Sequence, residues 1–469
     1  MSIIFYHINS KKYLVLSLLF VLLINCKSNQ ESNTTYFGGQ IINPKSDQVF
    51  LYKGEQIIDS VKLNPKHKFL IEIDSLTLGL YKFIHGNEWQ YIYLEPKDSL
   101  LIRINTWDFD ESLVFSGKGA ERNNFLINLF LENEKEDKLF YNFYHLNDSL
   151  FALKIDSVLQ RKKTLYNQFK EEVVENSPLF DKLTNTAIYY TLYRKKEAYP
   201  YRYKKATKSK KYPQINPIFY KFRKNVDIND KELMYFYPYV NYVNAYFEHL
   251  AYEKLIIDDY KSSYRVNFMQ VAIENAKVDE IKNKFLHEGM WYTLLDEKIS
   301  KAEKDKAQRL FFDHCSDEKS VSEIADLIKT AEKLPKGSKL PSATIYSFTN
   351  DSLLLSSIIS GNNTIIYTWP TSPLQKEHMA KRVNYLEKRY PDYLFIGLNS
   401  KNSQYLWKKH IKSKKLNVDN QYRIDTGIGW LDVNFTRAIL IDKHGIVQNN
   451  MTHLSSPRFE KHLQNFKNY

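Results

Sequence analysis

Apolar and polar residues alternate in short runs from Tyr36 to Ser116, and this rhythm predicts β-structure. The runs cover residues 37–43, 49–52, 56–63, 69–73, 81–84, 90–94 and 99–104. They are rich in β-branched and aromatic residues, which suit a pleated, half-buried surface. Turn chemistry separates them at Pro44–Asp47 and at Glu95-Pro96-Lys97-Asp98. Regular spacing of such runs predicts a β-sandwich-like module over residues 36–118.

The period then changes to that of helices over residues 119–336. Phe125, Leu126, Leu129 and Phe130 recur at near-helical spacing. Residues 148–174 form a long amphipathic run, and helices are expected at about 231–260, 265–277, 279–299, 301–315 and 322–332. Asn, Asp or Ser stands before most of them as a capping residue. No period of 20–50 residues recurs, so this is not a repeat array.

Leu334-Pro335-Lys336-Gly337-Ser338 marks a boundary, and from residue 337 to residue 469 strands alternate with helices. Strands are expected at 344–348, 364–368, 393–398 and 437–441, with a short one or a loop at 351–355. Helices are expected at 373–389, 404–413 and 457–468. Such alternation implies an α/β sheet. The fold class is therefore multidomain: a β-sandwich-like module, an all-α middle region and a C-terminal α/β domain.

That last domain resembles the thioredoxin-like fold of the TlpA and ResA type. The resemblance rests on Ile365-Ile366-Tyr367-Thr368-Trp369, Lys376-Glu377, Phe395-Ile396-Gly397-Leu398-Asn399 and Ile439-Leu440-Ile441-Asp442-Lys443-His444-Gly445-Ile446. The β module is similar to the small domain in front of many such lipoproteins, through its Asp59-Ser60-Val61, Gly79-Leu80-Tyr81 and Leu94-Glu95-Pro96-Lys97-Asp98-Ser99-Leu100 segments, closed by residues 115–124. The resemblance implies a redox site at the turn after strand 364–368. Anchored on Glu377, its two cysteine places fall on Thr371 and Leu374, and anchoring on Trp369 also meets no Cys. Thiol exchange needs an attacking thiolate and a resolving thiol, and Thr371, Ser372 and Leu374 supply neither. Where the family has a cis-proline stands Thr436, before which a cis bond would cost about 2.5–4 kcal/mol, so a trans loop is expected.

The start of the chain reads as an export signal. Lys11 and Lys12 precede an apolar run, residues 13–24, too short for a comfortable membrane span. Leu23-Ile24-Asn25-Cys26 resembles a bacterial lipobox, which implies a lipid on Cys26 after removal of residues 1–25; the alternative is an uncleaved anchor. Residues 26–35 then form a polar tether. The expected location is the cell envelope of a Gram-negative bacterium, lipid-anchored on the periplasm-facing side of the outer membrane.

Net charge is +13, and removing residues 1–25, with two lysines and no acid, leaves 13 − 2 = +11. This favours anionic partners. Residues 194–211 interleave basic residues with tyrosines, as single-strand nucleic-acid grooves do. Export excludes nucleic acid as a partner, and the stretch is expected to be a solvated loop, or one that touches anionic headgroups. The Tyr-rich stretch 235–252 is expected to pack a helical layer, with a ligand groove as the alternative. His287-Glu288 lacks the second His of a zinc helix, since position 291 is Trp291, so no metal or cofactor is expected. Cys315 lies at a helix end beside His314 and is expected to be a structural thiol.

Two classes of function remain. In the first, the chain is a tethered, non-catalytic protein that binds an envelope protein, a peptide or an anionic component. Trp369 would supply stacking area and Arg437 a bidentate cation, with Thr371, Ser372, Leu374 and Thr436 around them. The competing use of Trp369 is packing under the helix that follows. In the second, the chain is an envelope enzyme with a non-standard site, using Ser372 as nucleophile or Cys315 as a redox thiol; Ser372 has no Gly-x-Ser-x-Gly elbow around it.

Overall fold

A computed structural model of the chain describes residues 33–469, except 87, 174–176, 297, 372, 432–436, 457–458 and 467–469. Two compact units divide the chain after Asn128, and each is described by itself.

Among the described residues the first unit contains eight strands: β1 (Thr35–Ile42), β2 (Gln48–Lys53), β3 (Gln56–Lys62), β4 (Lys68–Ile73), β5 (Gly79–His85), β6 (Glu88–Leu94), β7 (Ser99–Asn105) and β8 (Val114–Lys118). They form two four-stranded sheets, ordered β4-β1-β7-β8 and β3-β2-β5-β6. Period-two alternation turns Phe37, Phe69 and Phe83 inward, where Phe109 from the turn after β7 joins them, with Phe37 and Phe83 ring centres 5.6 Å apart. This is the β-rich arrangement expected from the alternating pattern.

The segment after β8 is tied to the strands by polar groups that the period does not reveal. Arg122 grips Asp98 through two bonds of 2.9 Å and Glu95 through a third of 2.9 Å. Asn123 bonds both backbone groups of Tyr93 at 2.7 and 2.8 Å, and Asn124 does the same for Phe115 at 3.0 Å. Gly119 has φ +93°, and a Cβ there would stand 2.7 Å from an Asp98 carboxylate oxygen. Only glycine fits that bend without strain.

The helical part holds α1 (Ala120–Tyr141), which crosses the division, then α2 (Asp148–Glu172), α3 (Pro178–Thr207), α4 (Tyr237–Ile257), α5 (Tyr264–Asn275), α6 (Asp279–Leu295), α7 (Lys301–His314) and α8 (Glu318–Glu332). Asn147, Ser177, Ser300 and Asp317 cap α2, α3, α7 and α8, each accepting a bond from a backbone N–H three residues on. Pro238 sits in the first turn of α4 and sets its start later than the apolar period suggested.

Helix α3 corrects the reading of residues 194–211 as a loop. Residues 194–207 are its last turns, and only 208–211 lie beyond it. Its buried positions, among them Leu183, Thr186, Ala187, Leu192, Lys195, Lys196, Glu197 and Tyr199, run all round the helix, so no single apolar stripe marks it and charged residues occupy core positions. The Lys195 ammonium binds Asp137, and the Lys196 stem lies under Phe219 and Phe222, its charge 4.5 and 5.0 Å from their ring centres. Breaking the pattern at its charges hides the helix. The Tyr-rich stretch behaves as expected: Tyr239, Tyr242 and Phe247 are buried in α4.

The last part of the chain is a seven-stranded sheet, ordered β10-β9-β13-β12-β11-β14-β15, in the same compact unit as the helices after Asn128. Its strands are β9 (Thr344–Tyr346), β10 (Ser352–Leu354), β11 (Thr364–Thr368), β12 (Leu394–Asn399), β13 (Gln421–Ile424), β14 (Ala438–Ile441) and β15 (Val447–Thr452). Its helices are α9 (Leu355–Ile359), α10 (Pro373–Arg389), α11 (Gln404–Lys414) and α12 (Phe459–Phe466). β11 pairs in parallel with β12 and antiparallel with β14, so β11–α10–β12 is a crossover unit. Every residue of β11 is buried, as a central strand covered on both faces requires.

The linker is tied down rather than free: Gly337 and Leu340 N–H groups bond the carbonyls of Val447 and Gly445 at 2.7 and 2.9 Å. The Asn450 side chain bonds the Ala331 and Leu334 carbonyls, and Met451 joins the apolar cluster of α5–α8. No helix among the described residues is long and apolar enough to cross a membrane.

Candidate functional site

The corner after β11 is built by hydrogen bonds that hold the chain straight until it leaves the sheet. Thr368 donates its N–H to the Arg437 carbonyl at 3.0 Å, and its hydroxyl accepts from Arg437 N–H at 2.9 Å. Trp369 N–H bonds the Leu398 carbonyl at 2.9 Å. The chain turns at Pro370, whose carbonyl accepts from the Asn402 side chain at 3.2 Å. Asn402 is itself locked to Asn399 by bonds of 2.8 to 3.1 Å. Thr371 emerges exposed, and α10 begins at Pro373.

Trp369 is 4% exposed and lies in the core with Tyr367, Val383, Phe395 and Trp407. Its indole N–H donates to Gln421 Oε1 at 3.1 Å. The Tyr367 hydroxyl and the Gln421 side chain bond each other at 2.8 and 3.0 Å. These three side chains close over Gly397, where a Cβ would stand 2.1 Å from Gln421 Oε1 and 2.8 Å from both Trp369 Nε1 and Tyr367 Oη. Gly397 keeps an ordinary extended backbone, so what it supplies is space. Burial, with the Glu387 charge adding to it, pushes the Tyr367 hydroxyl far above its usual range, so it stays a proton donor.

Arg437 is wholly buried. Its Nη1 and Nε donate to the carbonyls of Trp430 and Asn450. Among the described residues Nη2 finds no partner, and desolvation pulls the guanidinium down to about 10.

Trp369 thus takes the packing use that competed with the outer one, and the burial of Arg437 corrects its assignment to an outer surface. Trp369 fills the space under α10, and Arg437 ties the start of β14 to the turn at Trp430 and to β15 at Asn450. Of the other corner residues, Thr371 is exposed and Leu374 stands in the first turn of α10. Ser372 and Thr436 lie outside the described residues, as does Cys26. The Lys376 ammonium, on a buried stem in the same turn, is lowered by desolvation. Glu377 is ion-paired with Lys414 and with Lys381, which hold its carboxyl below the usual range.

Cys315 is nowhere in this constellation. It ends α7, 8% exposed, packed with Val266, Met290, Phe311 and Ile324. Burial pushes its thiol up. His287 Nε2 faces Glu323 at 3.5 Å, and among the described residues no group of three or more His, Cys, Asp or Glu is placed to hold a metal. Sequence reasoning missed Gln421 and the role of Gly397, because β13 is a four-residue strand that begins on a buried polar side chain.

No protein-family model matches the chain, and neither does any curated protein. Solved structures do resemble part of it. The thioredoxin domain of a thiol-disulfide oxidoreductase from Bacteroides vulgatus is 21% identical over 28% of this chain and 98% of its own, with a TM-score of 0.25. A thiol:disulfide interchange protein from Bacteroides sp. is 19% identical over 29% of this chain and 92% of its own, at 0.24. A thiol peroxidase from Chromobacterium violaceum is 16% identical over 29% and 89%, also at 0.24. The first two are thiol-disulfide oxidoreductase-type proteins by their names, and all three match a little over a quarter of this chain.

Proposed function

We propose that this chain is a membrane-tethered binding protein of the bacterial cell envelope whose thioredoxin-like part performs no thiol redox chemistry. The placement of the thiols carries the reading. Thr371 and Leu374 occupy the corner, and the body's single cysteine, Cys315, is buried in a different cluster with its thiol raised. Exchange runs through an accessible thiolate, so neither place supports it. What the corner offers is shape: an exposed Thr371 on a support fixed by Asn402, Trp369 and Gln421. The tether rests on Lys11, Lys12, the apolar run and Cys26, and the +11 charge favours an anionic envelope component or an acidic protein surface.

The test places a photo-crosslinking amino acid at Thr371 in cells, with the exposed Lys261 as the control position. A discrete adduct from Thr371 and none from Lys261 is expected. Equal or absent adducts from both, in membrane-bound protein, remove the corner as a binding surface. Cys26→Ala should release the protein from membranes, and retention contradicts the lipid tether.

A further inference from the structure

The two stretches that stood out in the sequence for their tyrosines meet around one cavity of about 350 Å³ in the helical part. That is within the size range of small-molecule sites. Helix α3 contributes Glu197, Tyr201 and Arg202; α4 contributes Glu248, His249 and Tyr252; Tyr212 and Tyr264 complete the aromatic wall. Tyr252 is the hub, with its ring centre 5.4 Å from Tyr201, 5.4 Å from Tyr212 and 6.5 Å from Tyr264.

Of the polar groups here, Glu197 is satisfied internally, while His249 is bonded at Nδ1 and makes no hydrogen bond at Nε2 among the described residues. Glu197 is fully buried and gripped by Arg223 Nε at 2.9 Å, by Arg223 Nη2 and by the Tyr242 hydroxyl at 3.2 Å. His249 Nδ1 is 2.9 Å from the Glu197 carbonyl, and its Nε2 is 3.1 Å from Glu253 Oε1. This pair is a rigid floor rather than a reactive one.

The remaining charges are of opposite sign and are not neutralised by contact. Burial pushes the Glu248 carboxyl up, with the Glu288 charge adding to it, against a hydrogen bond from Asn244 and the charges of Arg265 and Arg202, which act only through space. Arg202 makes no ion pair among the described residues. A carboxylate and a guanidinium on one tyrosine-walled cavity suit a ligand with an ammonium, a carboxylate and an apolar group between the walls. Carboxylates take ammonium as a charge-assisted donor, guanidinium takes carboxylate in a fork, and tyrosine faces take apolar or cationic groups.

From this we propose that the cavity between α3 and α4 binds a zwitterionic amino acid with an apolar or aromatic side chain: Glu248 receives the ammonium, Arg202 the carboxylate, and Tyr252 with its neighbours the side chain. This goes beyond the corner and stands independently of it. Its geometry needs no covalent step.

The test is calorimetric titration of the full chain with phenylalanine, phenylalanine amide (cation only) and N-acetylphenylalanine (anion only). Phenylalanine should bind, and each single-charge analogue should bind weaker by about tenfold or more, the worth of one charge-assisted contact. Glu248→Gln should remove the advantage of phenylalanine over the N-acetyl compound, and Arg202→Gln its advantage over the amide. Tyr252→Leu should weaken all three, with an unchanged circular-dichroism spectrum as the folding control. Equal binding of the three ligands, binding of a single-charge analogue alone, or no binding at millimolar concentration overturns the proposal.

Discussion

Gly397→Ala tests how the corner is held, because the substitution adds one methyl group and changes nothing else. The new Cβ would stand 2.1 Å from Gln421 Oε1, inside van der Waals contact, and 2.8 Å from Trp369 Nε1 and Tyr367 Oη. All three partners are buried, so none swings out to water. Overpacking of this kind costs about 1–3 kcal/mol. Displacing Gln421 also leaves the Trp369 and Tyr367 donors short of an acceptor, at about 1–3 kcal/mol more. Alanine returns about 0.4–1 kcal/mol by stiffening the unfolded chain. The net loss is about 1–6 kcal/mol by these figures. Urea unfolding followed by tryptophan fluorescence reads it as a lower midpoint at unchanged slope. Adding Gln421→Ala removes the closest obstacle, so the double variant should lose less than the sum of the two single losses. A midpoint equal to or above that of the parent, or strict additivity, refutes the packing argument.

Arg122→Ala should destabilise the β unit by about 3–5 kcal/mol, since it strands the buried Asp98 carboxylate. Desolvation already pushes the Asp98 carboxyl up, against a bond from Glu95 N–H and the pull of Arg122, so the loss comes from an uncompensated charge. Thermal melting reads it, and Arg122→Lys should recover only part, because an ammonium lacks the fork that reaches Asp98 and Glu95 together. In alkali the helical part should lose stability between pH 10 and 12. Desolvation pushes Tyr144 and Tyr193 up to about 12 in the fold, while the unfolded chain releases these protons near 10. The unfolded state thus binds fewer protons in this window, and stability falls as pH rises through it. Phenolate absorbance should therefore rise together with the loss of helix; a phenolate rise complete before any helix is lost contradicts the assignment. In Cys26→Ala protein, Cys315 should react with Ellman's reagent only on unfolding; rapid reaction of the native chain contradicts its burial.

The order of elements was readable wherever one physical rule governed a segment. Alternation exposed the strands of the β unit, and the apolar Ile365-Ile366-Tyr367 run exposed β11 because a strand covered on both faces has no polar side. Helix α3 escaped because Lys195 and Lys196 hold core positions: their charges are met by Asp137 and by two aromatic faces far away in sequence. β13 escaped because it is short and starts on Gln421, whose burial is repaid only by Tyr367 and Trp369. Arg437 looked like an outward cation because nothing local marks the carbonyls of Trp430 and Asn450 as its acceptors. At the corner, the lack of cysteine was plain from the sequence, whereas the inward use of Trp369 depends on its bond to Gln421, 52 residues away.

Insulin reduction tests the central claim most directly. The Cys26→Ala chain and its Cys315→Ala counterpart are mixed with insulin and dithiothreitol, and precipitation of the released chain is followed by turbidity. With Thr371 at the corner and Cys315 buried, both proteins should match dithiothreitol alone. Accelerated precipitation that disappears in the Cys315→Ala protein contradicts a non-redox role and makes the chain a thiol enzyme.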